Sequence, residues 1–423
     1  MKFVSTRKGS EPVNASTAII QGLAPDGGLY VPASFPSLSN LNIHEISSYP
    51  ELAFEVLAPF FKDDPLAADL AEICVDAFNF PVPLVSLKPE QMVLELFHGP
   101  TAAFKDFGAR FLAFSMERML KREGRTLTIL VATSGDTGGA VAAAFANREN
   151  ITVKVLFPKG RVSKRQQAQL TCWGGNIQAY EVDGNFDDCQ KMVKAAFMDP
   201  KLSKEHNLSS ANSINLGRLL PQAIYYVYAS HLFSQATGKK PTFIIPSGNV
   251  GNSCAAYWAL TMGAPIEKIV LSVNKNTTIV DYLKSGTYQG RSSLATLANA
   301  MDVGDPSNME RLLSLYPDFE TMKKMVSAYS VDDKTIEETI KEVYEETGYV
   351  LCPHTATGER VRRDHFADEP TIVVSTAHPA KFEQVVEPLL GITVEVPQKL
   401  AELLEKPTSF TSIGCDQIGR AHV

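Results

Sequence analysis

The chain has 423 residues, 44% hydrophobic and 21% charged with both signs interleaved, a composition that excludes a disordered polymer and leaves room for two or three globular domains. Its formal net charge of −7 argues against a nucleic-acid partner, since phosphate neutralisation takes a basic surface, and no apolar run approaches the roughly 20 residues that cross a bilayer. Six cysteines without a CxxC pair and eight histidines without an HExxH bring neither a zinc site nor a disulfide framework into view.

The first residues, MKFVSTRKGS, lack the apolar core of a secretory signal, which points to the cytoplasm. Residues 1–90 are expected to form an N-terminal subdomain: GLAPDGGLYVP carries a turn before a short strand, and SYPELAFEVLAPFF reads as an amphipathic helix. HGPTAAFKDFG (98–108) then sets Lys105 in an apolar-leaning stretch after a Gly-Pro turn. A desolvated amine has a lowered pKa and attacks aldehydes. The plainer reading is a snorkelling lysine at a helix start.

From residue 126 one grammar repeats: a β-branched run, a Gly/Ser/Asn-rich turn, then a helical segment. It recurs at 126–148, 151–170, 241–260, 266–283 and 370–389, which predicts parallel sheets covered by helices, with ligands outside the carboxyl ends of the strands. TSGDTGG (133–139) brings the hydroxyls of Thr133, Ser134 and Thr137 and the free amides of a helix start together as a seat suited to a carboxylate, although Asp136 or Thr137 as a plain cap would explain part of it. SGNVGN (247–252) lets backbone N–H groups converge on an anion such as phosphate, or serves as a tight turn. It is neither a Walker loop nor the GxGxxG fingerprint. Lys159 and Arg161 in FPKGRVSKRQQ and Lys275 in SVNKN sit on loops after strands and read as surface charges unless the chemistry implied by the resemblance below, which releases a phosphate, gives them an anion to bind. Segment 320–348 reads as two surface helices. The final IGRAHV (418–423) looks like a translated sequencing adapter replacing the native tail, a reading removed if those codons stand in the genomic locus.

HGPTAAFKDFG, TSGDTGG, SGNVGN and STAHPAKF in this order, with the N-terminal STRKG and GLAPDGGLYVP, resemble the threonine synthase family, pyridoxal-phosphate enzymes of the tryptophan-synthase-β-like fold (fold type II). The resemblance spans residues 1 to about 405. It implies two open parallel-sheet α/β domains with the cofactor between them, at 91–235 and 236–423, behind the N-terminal domain. It assigns Lys105 as the Schiff-base lysine. Gly248, Asn249, Val250, Gly251 and Asn252 become the cofactor phosphate cradle, and Thr376 the neutral hydroxyl facing the pyridine nitrogen. Ser134, Asp136 and Thr137 fall in the loop that holds the substrate carboxylate or the cofactor's phenolic oxygen. Ala102 stands where a larger apolar residue is expected. The implied reaction turns O-phospho-L-homoserine and water into L-threonine and phosphate, with a monomer or homodimer as the working unit. The rivals are another lyase of the fold, such as a serine/threonine dehydratase or cysteine synthase, and a non-catalytic relative binding a phosphorylated metabolite.

Overall fold

The computed structural model describes residues 1–133 and 135–415, apart from the side chains at 187, 203 and 204. Ser134 and the IGRAHV tail therefore lie outside the described residues.

The N-terminal segment pairs β1 (Phe3–Ser5) with β2 (Tyr30–Pro32) antiparallel. The turn before β2 uses Gly27 at φ 77, and the Asp26 carboxylate accepts from the Gly28 amide at 2.9 Å. The expected amphipathic helix runs Tyr49–Leu57, capped by Ser48, and buries Leu52, Ala53, Val56 and Leu57.

Two larger sheets follow. Their strands are β3 (Leu84–Lys88), β4 (Gln91–Glu95), β5 (Leu127–Ala132), β6 (Ile151–Pro158), β7 (Ile177–Asp183), β8 (Leu208–Ser210), β9 (Thr242–Pro246), β10 (Lys268–Val273), β11 (Ser327–Ser330), β12 (Thr371–Ser375) and β13 (Thr411–Gly414). One sheet has the order β13-β7-β6-β5-β8 and is parallel throughout. The other has the order β11-β10-β9-β12-β4-β3, parallel except for the β3–β4 hairpin. Central strands such as β9 and β12 are buried along their whole length, as strands covered by helices on both faces must be, and so they read as unbroken apolar runs.

The strand pairing departs from a division at 90/91 and 235/236. β3 and β4 lie in the sheet built mainly by the C-terminal half, and β13 returns to the sheet of the first half. Segment 320–348 gives the two expected helices, Phe319–Met325 and Asp333–Thr347, with the edge strand β11 between them. In the longer helix Ile336, Thr339, Ile340 and Val343 form the buried stripe. No helix among the described residues is long and apolar enough to cross a membrane.

Candidate active site

A cavity of about 180 Å³ opens at the carboxyl ends of the strands, lined from both sheets by Lys105, Thr133, Asp136, Thr137, residues 246–252, His354 and Thr376. Lys105 begins the helix Lys105–Glu123. The chain entering that helix is pinned to the loop after β12: Phe104 N–H donates to the Thr376 carbonyl at 2.9 Å and His378 N–H to the Ala102 carbonyl at 3.0 Å. Lys105 and Thr376 are thus held to one wall. Ala102 within this crossing is buried at φ 55, a left-handed backbone in which a bulkier or β-branched side chain would be strained.

The neighbouring carboxylate does not meet the Lys105 ammonium. Gly99 leaves room that a Cβ would take from Asp106, since that Cβ would lie 2.4 Å from Oδ2. Asp106 instead accepts from Thr101 N–H at 2.8 Å and from Thr101 Oγ1 at 2.7 Å. Lys105 Nζ has no hydrogen-bond or ion-pair partner among the described residues, only the Phe104 ring at 5.9 Å. Burial pushes its ammonium down to about 8, partly opposed by Asp136 and reinforced by Arg218 and Lys381.

Asp136 starts the helix Asp136–Phe145 and is neutralised from the other sheet. Lys381 Nζ lies 2.8 Å from Asp136 Oδ1 and also donates to the Thr101 carbonyl at 2.9 Å, with its side chain only 1% exposed. Burial alone would raise the Asp136 carboxyl, but the Lys381 and Lys105 charges hold it well below the usual carboxylate range. His354 is driven down to about 4 by burial and is neutral at pH 7. Its Nε2 accepts from Ala300 N–H at 3.2 Å, so the proton sits on Nδ1.

After β9 the chain turns through Ser247–Val250 into the helix Gly251–Met262. Val250 takes φ 62, a left-handed conformation that few β-branched residues adopt. Gly248 is required by a close approach, since a Cβ there would lie 2.8 Å from Met301 Cα. Asn252 Oδ1 accepts from Tyr225 and Tyr226, leaving its buried Nδ2 without a partner.

Three predicted cations stand elsewhere. The Lys275 side chain is 47% exposed and pairs with Asp333 at 3.3 Å. Its flanking asparagines are the buried members: Asn274 donates to Thr296 Oγ1 and Asp302, and Asn276 brackets the backbone of Leu294, so together they hold the loop that lines the cavity. Lys159 and Arg161 are exposed and outside the cavity wall. Ser163 caps the helix that follows, and from it Gln166 reaches Asp136 at 3.2 Å. Sequence reasoning passed over Arg218 and Ser213 in NSINLGRLLPQ, and Arg291 at the mouth, all of which line the cavity. Arg218 is buried, donates through Nη1 to the Ala211 carbonyl and leaves Nε unpartnered. A charged residue between Gly217 and two leucines was the available signal.

Residues 81–376 match the pyridoxal-phosphate dependent enzyme family, residues 2–78 the threonine synthase N terminus, and residues 355–420 the threonine synthase C-terminal family. The chain is 38% identical to threonine synthase of Escherichia coli K12 over 98% of its own length and 97% of that protein's. It is 40% identical to the Haemophilus influenzae threonine synthase, covering 95% and 94%. The fold superposes on the PLP-bound threonine synthase of Brucella melitensis with a TM-score of 0.92 at 36% identity, covering 100% of this chain and 99% of that one. With the bare lysine, the glycine turn and the Thr376 loop gathered on one cavity, and with matches running along nearly the whole sequence, the chain belongs to the threonine synthase family of pyridoxal-phosphate-dependent enzymes.

Proposed function

We propose that the protein converts O-phospho-L-homoserine and water into L-threonine and phosphate, acting in the cytoplasm as a monomer or homodimer. The observation that carries this reading is Lys105 Nζ, free of hydrogen-bond and ion-pair partners among the described residues and lining the same cavity as residues 248–252 and Thr376.

The residues present fit pyridoxal phosphate. An amine kept dry suits its aldehyde, the turn that opens the helix Gly251–Met262 suits its phosphate, and the orphaned Asn252 Nδ2 is left for an acceptor. When bound, the cofactor supplies an aldehyde for amine capture and a ring that takes up the electrons released at the substrate Cα. Lys105 would hold the cofactor, then, once the substrate amine displaces it, remove the Cα proton and move protons at Cβ and Cγ. A neutral Thr376 hydroxyl does not hold a ring nitrogen protonated as a carboxylate would, which restrains side reactions.

Asp136 would repel the substrate carboxylate if it stood alone. Paired with Lys381 it carries no net charge into the loop, which supports Thr137 and the helix start as the carboxylate seat. Arg218, with its unpartnered Nε, and Ser213 then replace Lys275, Lys159 and Arg161 as the groups proposed for the departing phosphate, with Arg291 at the mouth.

Incubation with O-phospho-L-homoserine tests the reading. Wild type should release threonine and phosphate in equal amounts, and Lys105→Ala should form neither while keeping its circular dichroism. Phosphate release without threonine would sink it.

A further inference from the structure

Behind the glycine turn lies a second buried arginine, outside the cavity wall. Arg311 is 1% exposed, and its three donor nitrogens reach three different parts of the molecule. Nε donates to the Tyr30 carbonyl of β2 at 3.1 Å, Nη2 to the Ile214 carbonyl at 2.7 Å, and Nη1 to the Asn308 side-chain oxygen. Asn308 passes the contact on, because its Nδ2 donates to the Asn249 carbonyl at 3.1 Å and to Ser213 Oγ at 3.4 Å. Ser307 N–H holds the Asn249 side chain at 2.6 Å, and Asn249 Nδ2 returns to Ser213 Oγ at 2.6 Å. The room for Asn308 exists because residue 251 is glycine, whose added Cβ would sit 3.2 Å from Nδ2.

No hydrogen bond of Arg311 reaches a carboxylate, although the charge of Glu310 beside it still bears on the guanidinium. All its acceptors are neutral, and the adjacent Glu310 turns outward to Arg7 and Thr6.

We infer that Arg311 is a positioning residue for the cofactor phosphate: it ties the N-terminal segment, through Tyr30, to Asn308 and Asn249, and so fixes the turn 248–252 in its anion-accepting shape. This rests on the reading of that turn as the phosphate cradle. The N-terminal domain thereby acts on the cofactor without touching it. Lysine at 311 keeps a charge but, as a single point donor, cannot span three acceptors on three segments.

The test compares two ligands on the apoprotein, pyridoxal phosphate and pyridoxal, which share the aldehyde and ring and differ only in the phosphate. Equilibrium dissociation constants are read from the absorbance of the bound aldehyde. Arg311→Lys should weaken pyridoxal phosphate by about tenfold or more, the loss of one to two charge-assisted hydrogen bonds, while pyridoxal shifts by less than about twofold. Should Arg311→Lys not fold, Asn308→Ala cuts the same link while leaving Arg311 on Tyr30 and Ile214, and the same selective loss is expected. Equal weakening of both ligands, or of neither, overturns the inference, because a merely structural arginine would not distinguish them. If wild type itself binds the two equally well, the cradle reading falls and this inference with it; if wild type discriminates and the variants do so equally, the cradle stands and Arg311 is discarded.

Discussion

Replacing Lys381 by methionine keeps the length of the side chain and removes the cation that faces Asp136 at 2.8 Å. Breaking a buried pair from one side costs about 3–5 kcal/mol because the remaining charge is left uncompensated. Lys105 still bears on the Asp136 carboxylate and Gln166 still donates to it at 3.2 Å, so we expect the low end, about 3 kcal/mol. The sign with pH is definite. In wild type the depressed carboxyl contributes stability at every pH above its unfolded value of about 3.9, and that stability is lost as pH falls from there through the folded value. In the variant burial is offset only by Lys105 and Gln166, which we expect to be too little: the folded value then rises above the unfolded one, and the carboxylate is destabilising at neutral and alkaline pH. The deficit should therefore shrink as the solution is acidified and Asp136 takes up a proton. Urea unfolding of apoprotein at pH 8 and pH 5 measures it, and Asp136→Asn added to Lys381→Met should recover much of the loss at pH 8. A deficit of equal size at both pH values, or a double variant no better than the single one, would refute the account.

Two further outcomes are expected. The amine of Lys105, with burial pushing it down to about 8, should be trapped on an aldehyde by borohydride in apoprotein with a rate that rises through pH 8 and levels off, well before an ordinary lysine would; a rise centred above pH 10 would contradict its desolvation. Gly108→Ala places a Cβ 2.2 Å from the Arg218 carbonyl oxygen. Such overpacking costs about 1–3 kcal/mol, so the urea midpoint should fall and KM for the phosphorylated substrate should rise, and an unchanged KM would separate Arg218 from the phosphate.

Much of this site was written in local sequence. The buried parallel strands leave apolar runs, and the loops after them carry the glycines, so Asp136, Thr137 and residues 248–252 stood out in the residues themselves, whereas Thr376 and the joining of Lys105 to those loops came from the family resemblance. What was not legible depends on partners distant in sequence. β11 (SAYS) and β13 (TSIG) are short and polar edge strands with no run to betray them, and the hairpin of β3 and β4 shows nothing local that tells which sheet it joins. Lys381 stands between Ala380 and Phe382 much as Lys105 stands beside Phe104, yet one lysine is bare and the other is bound to a carboxylate. Only the fold separates them. Lys275, by contrast, stood out as a cation on a loop after a strand, when it is the flanking Asn274 and Asn276 whose amides are buried and hold the loop.

The crossed membership of the strands bears on how the polypeptide reaches its final form. β4 begins at Gln91, but its neighbour β12 begins only at Thr371, and β13 must travel back to β7 after that. During synthesis the six-stranded layer stays unfinished at its centre until β12 at Thr371–Ser375 has left the ribosome, and pairings of such wide separation form slowly. No scission between Glu95 and Thr371 leaves both large sheets whole. Halves expressed apart should therefore gain structure only on being mixed, each supplying the strand the other lacks.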